Sequence, residues 1–138
     1  MAIAHFPSFD DGDALDVGFL KPQGGELTLR LLVDSGFTGQ SCFVLPVNAN
    51  GLAHAAVPSA EVAGALQGVQ KRVVVSCRIA DLSFAVAAIA IIADTSGLAL
   101  PVGVQGIVGL RFLRHFRRWG AEQTAVGAWR FFLETDTA

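Results

Sequence analysis

The sequence predicts an all-β protein: a small, partly closed antiparallel β-barrel with one short helix near its C-terminal end. Two observations predict it. Short apolar runs rich in Val, Ile and Leu recur between turns that contain Gly, Pro and Asn. One stretch alone, beginning at Leu110, spaces its apolar residues as a helix does. A chain of 138 residues has material for one hydrophobic core, so residues 1–138 are read as a single domain.

Residues 1–13 are expected to be a loosely ordered N-terminal segment. Ala14–Leu20 reads as the first strand and Glu26–Val33 as the second, joined into a hairpin by a turn over Pro22–Gly25. The second strand runs into Asp34-Ser35-Gly36, which places a carboxylate where a buried strand leaves the core. The apolar run Cys42–Val47 is closed by Pro46 and by Asn48, Asn50 and Gly51, with a loop or short helical turn expected over Gly51–Ala56. Between Ala60 and Val75, Gly64 and Gly68 stand among β-favouring residues, as at the tip of a hairpin. Arg72–Ile79 and Leu82–Ile92 are expected to pair across a tight turn at Ala80-Asp81, as a long ribbon of β-branched residues. A loop over Asp94–Val104 leads to Ile107-Val108-Gly109. A helix follows from Leu110 to about Trp119, with Leu110, Phe112, Leu113 and Phe116 opposite Arg111, Arg114, Arg117 and Arg118. A turn near Gly127 opens the last strand, Ala128–Glu134.

Composition excludes several functions. A formal net charge of -2 is poor equipment for neutralising phosphates, so no nucleic-acid partner is expected, and the local arginines read as the solvated face of the helix. Asp10, Asp11, Asp13 and Asp16 read as a solvated acidic loop. Cys42 and Cys77 lack the close spacing of a zinc site and read as buried free thiols; no metal and no cofactor is expected. His5, His54 and His115 show no ligand spacing. Gly103, Gly106 and Gly109 recur every third residue, but the spacing of a nucleotide loop and its Lys-Ser or Lys-Thr are missing. The apolar stretch Val73–Ala93 is divided by Arg78 and Asp81, so it is read as two core strands and not as a membrane span. The first residues lack a basic region followed by an apolar run, and a cytoplasmic setting is expected. Only 16% of the residues are charged, which leaves apolar surface for a partner to cover.

The chemistry is expected at Leu31-Leu32-Val33-Asp34-Ser35-Gly36-Phe37-Thr38. Apolar strand residues press the carboxylate toward low dielectric, where a lone charge calls for a partner or a shared proton. Asp, Ser and Gly are also ordinary turn formers, and on these three residues alone a turn-capping role for Asp34 is equally open.

A second segment tilts the balance. Val33-Asp34-Ser35-Gly36-Phe37-Thr38 followed much later by Ile107-Val108-Gly109-Leu110 resembles the paired signatures of the retropepsin-like aspartic peptidases, the bacterial relatives of the retroviral enzymes, over roughly Asp16 to Glu134. The resemblance implies that Asp34 is catalytic and that Ser35, Gly36 and Thr38 support its loop. It implies that Ile107, Val108 and Gly109 pack beneath that loop, and that Phe37 with the Gly64 to Gly68 flap binds a peptide or protein substrate. The chain holds one Asp-Ser-Gly where the family's reaction needs two carboxylates. A symmetric homodimer is therefore expected. The nearest internal imitation, Asp94-Thr95-Ser96-Gly97, carries an extra residue. Phe37, Thr38, Leu110 and Arg111 depart from the retroviral pattern, which bears on substrate preference. Two other readings stand beside the peptidase: a non-catalytic dimerisation or peptide-binding module on the same fold, and a structural β domain of a larger assembly.

Overall fold

The computed structural model describes residues 1–9, 12–58 and 67–136, and of residues 67–69 the backbone alone. Among the described residues ten strands follow in order: β1 (Ala2–Phe9), β2 (Gly12–Leu20), β3 (Glu26–Asp34), β4 (Phe43–Pro46), β5 (Ala55–Val57), β6 (Gln67–Ile79), β7 (Phe84–Asp94), β8 (Gly106–Gly109), β9 (Arg118–Gln123) and β10 (Trp129–Thr135). One short helix, α1 (Leu110–Leu113), follows β8, and a 3-10 turn covers Val47–Leu52. Strands take 58% of the chain against 8% helix, as expected of an all-β fold.

Hydrogen-bonded neighbours run β5-β6-β7-β4-β8-β3-β2-β1-β10-β9, and a further pairing between β6 and β2 joins two strands far apart in that order. That pairing, Gly18 opposite Arg78 and Phe19 opposite Cys77, closes β6-β7-β4-β8-β3-β2 into a barrel. Closure is thus complete and not partial, which satisfies strand edges that an open sheet would expose. The barrel is also not wholly antiparallel: β3 runs parallel to β8, and β4 parallel to β7. Periodicity tells which residues face inward but not which way a neighbouring strand runs, so these parallel contacts had no signal in the pattern.

Alternation does what the pattern required. Leu15, Val17 and Phe19 of β2, Leu29 and Leu31 of β3, and Val73, Val75, Cys77 and Ile79 of β6 all point into one core with Phe43, Leu45 and Val108. Phe112, fully buried, stacks there among Phe43, Phe84 and Phe116 at centroid separations of 5.0, 5.8 and 5.3 Å. Burying each such ring is worth about 1.5–3 kcal/mol. On the outer side of the barrel a smaller cluster, Val44, Ile91 and Ala93, receives Phe37 and Ile107.

Two boundaries differ from the sequence reading. The chain start is not loose: β1 pairs with β10 from Ala2 opposite Thr135 to Pro7 opposite Arg130, burying Ala4 and Phe6. The alternation of Ala4 and Phe6 with exposed Ile3 and His5 was present in the sequence, but Pro7 obscured it. The expected helix from Leu110 to about Trp119 ends at Leu113. Its apolar residues Phe112, Leu113 and Phe116 are buried as the spacing required, yet the Arg117 amide donates to the Glu134 carbonyl at 2.8 Å and the chain continues as β9. A ladder partner in β10 outweighs the helical spacing that was expected to run as far as Trp119.

Candidate active site at the end of β3

Asp34 is the last residue of β3 and lies opposite Gly109 in the parallel ladder with β8. Its carboxylate Oδ1 accepts the Gly36 amide at 3.0 Å, and its carbonyl accepts the Phe37 amide at 3.1 Å. The turn is therefore tied through both the side chain and the main chain of one residue. Beyond it the loop is strapped at two more points. The Leu110 amide donates to the Phe37 carbonyl at 3.0 Å, and the Gly109 amide donates to the Cys42 carbonyl at 2.8 Å. Asp34 and Phe37 are half-buried, whereas Ser35, Gly36 and Thr38 are exposed.

The strap needs glycine. A Cβ on Gly109 would overlap the Phe37 ring and sit 2.7 Å from the Phe37 carbonyl oxygen. One on Gly106 would overlap the Val44 carbonyl and come within 3.3 Å of its carbon. The recurrence of Gly103, Gly106 and Gly109 thus has a packing explanation: the latter two admit neighbouring backbone, and Gly103 turns the chain at φ 83°. Ile107 packs on the outer cluster beside Phe37, and Val108 is fully buried on the inner side. These three residues and the Asp34 loop are brought together.

The far end of the loop is held from β6, a contact the sequence reading missed. Arg72, 9% exposed, donates through Nη2 to Gln40 Oε1 at 3.2 Å. No spacing rule links positions 40 and 72, so only their pairing in space reveals it. Of the residues assigned to the flap, Gly64 lies outside the described residues. Gly68 belongs to β6, where the ladder with β7 slips between Gln67 and Lys71. β5 does pair antiparallel with β6, Ala55 opposite Val74, and residues 59–66 connect them.

Around the site the electrostatics are simple. Burial pushes the Cys42 thiol up to about 11 against a smaller opposing pull from Arg111, and pushes Cys77 up to about 12, with Cys42 adding to the rise. Cys77 Sγ donates to the Val86 carbonyl at 3.3 Å. Among the described residues no three His, Cys, Asp or Glu side chains gather as a metal would need, and no helix is long and apolar enough to cross a membrane. A recess of about 560 Å³ opens elsewhere, between Phe9, Asp13, Ala121 and Trp129. Its acid, Asp13, accepts a hydrogen bond from Ser8, and Asp34 takes no part in it.

Fold and site together define a closed β-barrel in which the loop that follows Asp34 is strapped to a second, parallel strand. No protein-family model, no curated protein and no solved structure matches the chain.

Proposed function

We propose that this chain is an aspartic endopeptidase of the retropepsin type, in which two copies contribute one Asp34 each to a shared catalytic centre. The observation that carries the reading is the clamp: an aspartate at a strand end, turned by its own side chain and locked to a glycine of a parallel strand. The packing at Gly109 is made with Phe37, and it holds the loop that presents the carboxylate. One copy supplies one such acid, and hydrolysis through an acid-base pair needs two.

In the dimer one Asp34 carboxylate takes a proton from the water that attacks the peptide carbonyl. The other, protonated, donates a hydrogen bond to the carbonyl oxygen and later passes a proton to the leaving amine. Ser35 supports the loop across the two-fold axis and is not a nucleophile, because no histidine base accompanies it. Phe37, Gly64 and Gly68 shape the binding of an extended peptide or protein substrate, and the setting is cytoplasmic.

The test is cleavage of an unfolded protein at acidic pH by the full chain. Cleavage that a statine-type transition-state mimic blocks, and that Asp34→Asn abolishes, supports the reading. Peptide binding without turnover favours the non-catalytic module instead.

A further inference from the structure

The core-facing side of the β1-β10-β9 sheet runs on past the core. Phe6 and Phe131, paired across β1 and β10, are buried on it. Side chains two apart in a strand share a side, so the same face continues to Ser8 in β1 and to Trp129 in β10. Ala121 lies opposite Phe131 in the β9 ladder and extends the face sideways. At this end the face opens as the recess of about 560 Å³. Small residues keep it open: Gly12, Ala121 and Ala128 put no more than a methyl group each into its lining. The Phe9 ring lies close against Gly12, where a Cβ would come within 3.3 Å of it.

The lining combines rings with one acid. Phe9 and Trp129 supply aromatic surface, and Trp129 stands 56% exposed, which leaves apolar area for a ligand to cover. Asp13, half-buried, faces Ser8 in the β1-β2 ladder, and the Ser8 hydroxyl donates to its Oδ1. That bond orients the carboxylate, and Oδ2 has no partner among the described residues. No Lys, Arg or His stands among the described residues of the lining, so the negative charge goes unanswered there. Arg130, the chain neighbour of Trp129, projects from the other side of β10 and is held by Glu122 at 2.9 Å. Ring faces attract a cation through their quadrupole, and a carboxylate accepts its N–H groups in charge-assisted hydrogen bonds. An anion would be repelled by both, and a neutral apolar molecule would cover the carboxylate without pairing it. The volume falls within the range of about 300–1,000 Å³ common for small-molecule sites. It exceeds what an ammonium group fills, so the cation carries an apolar body.

We propose that this recess binds a small organic cation, a protonated primary amine whose ammonium group donates to Asp13 Oδ2 while its apolar body lies against Trp129 and Phe9. Asp34 has no part in the recess, so the site is separate from the peptidase reading and stands without it.

The test is an NMR titration of the full chain at neutral pH that follows the Trp129 indole N–H signal. The probe is 2-phenylethylamine, with 2-phenylethanol and phenylacetate as its neutral and anionic counterparts. The amine is expected to shift the signal at millimolar concentrations, to bind about tenfold or more tightly than the alcohol, and to weaken as salt rises; phenylacetate should not bind. Asp13→Asn should bring the amine down to the affinity of the alcohol at unchanged circular dichroism. If that variant fails to fold, Ala121→Leu decides, because it fills the recess from an exposed position and leaves Asp13 in place. It should abolish binding of the amine. Asp34→Asn should bind the amine as wild type does. An amine that leaves the Trp129 signal unmoved, equal affinity for amine and alcohol, or undiminished binding by a folded Asp13→Asn or Ala121→Leu overturns the proposal. Binding lost in Asp34→Asn also overturns it, since the cation would then sit on the other carboxylate.

Discussion

Asp34 faces Gly109 across the parallel ladder, and the volume that a side chain at position 109 would need is already taken by Phe37. Asp34 and Gly109 are also coupled through Phe37, whose amide donates to the Asp34 carbonyl and whose own carbonyl accepts the Leu110 amide. Gly109→Ala must then move the loop. Overpacking of this kind costs about 1–3 kcal/mol, read as a lower urea midpoint. Cleavage should fall further than stability does, because the loop carries Asp34. An unchanged midpoint would mean that the strap yields without cost.

Asp34→Asn and Asp34→Ala separate chemistry from architecture. Asparagine keeps an oxygen to accept the Gly36 amide, while alanine does not. Both variants are expected to lose cleavage, but only Asp34→Ala should lose about 1 kcal/mol of stability. Retained turnover in either removes Asp34 from the mechanism.

Phe112 is the aromatic hub below the site, touching Phe43, Phe84 and Phe116. Phe112→Ala should cost about 3–5 kcal/mol, enough to unfold a marginal domain. Calorimetry would measure it, and a loss below that of an ordinary surface change would contradict the packing described.

The two thiols make a prediction in alkali. Their folded values lie at about 11 and about 12, above the ordinary 9.0, because burial disfavours the thiolate. Below pH 9 both states keep the proton and stability is unaffected. As pH rises from there toward the folded values, the unfolded chain ionises first and stability falls. Disulfide-exchange reagents at pH 8 should leave both thiols untouched until denaturant is added. Rapid native-state labelling of Cys42 or Cys77 would show that they are not buried as described.

Acid should act through Glu134. Hydrogen bonds from Arg118, with further attraction from Arg118, Arg117 and the chain amine, hold its carboxyl below the usual range despite opposing desolvation. A depressed folded value stabilises the protein above the unfolded value and is lost as pH falls through the folded one. Glu134→Gln is therefore expected to lower the urea midpoint at neutral pH and to flatten its decline in acid. A decline as steep as in wild type would place the acid sensitivity elsewhere.

What could be read without coordinates follows physical range. The β2-β3 hairpin, the β6-β7 ribbon and the last strand were legible because alternation and turn chemistry act between near neighbours in the chain. The Asp34 loop and Ile107-Val108-Gly109 were legible as two separate segments. Their contact, Asp34 opposite Gly109 with Phe37 packed on that glycine, came only from the fold. The Arg72–Gln40 bond and the clash space at Gly106 were not, since nothing local marks them.

The amino-acid sequence by itself determined which faces are apolar, where the chain turns, and which carboxylate stands at a strand end beside a glycine. Only the tertiary structure decided that the barrel closes through β2 and β6, that β1 is a strand, and that the residues after Leu113 leave the helix for a ladder with β10. The reason is the same in each case: a strand has no stability of its own, and its existence, direction and length depend on a partner that the chain supplies from a distance.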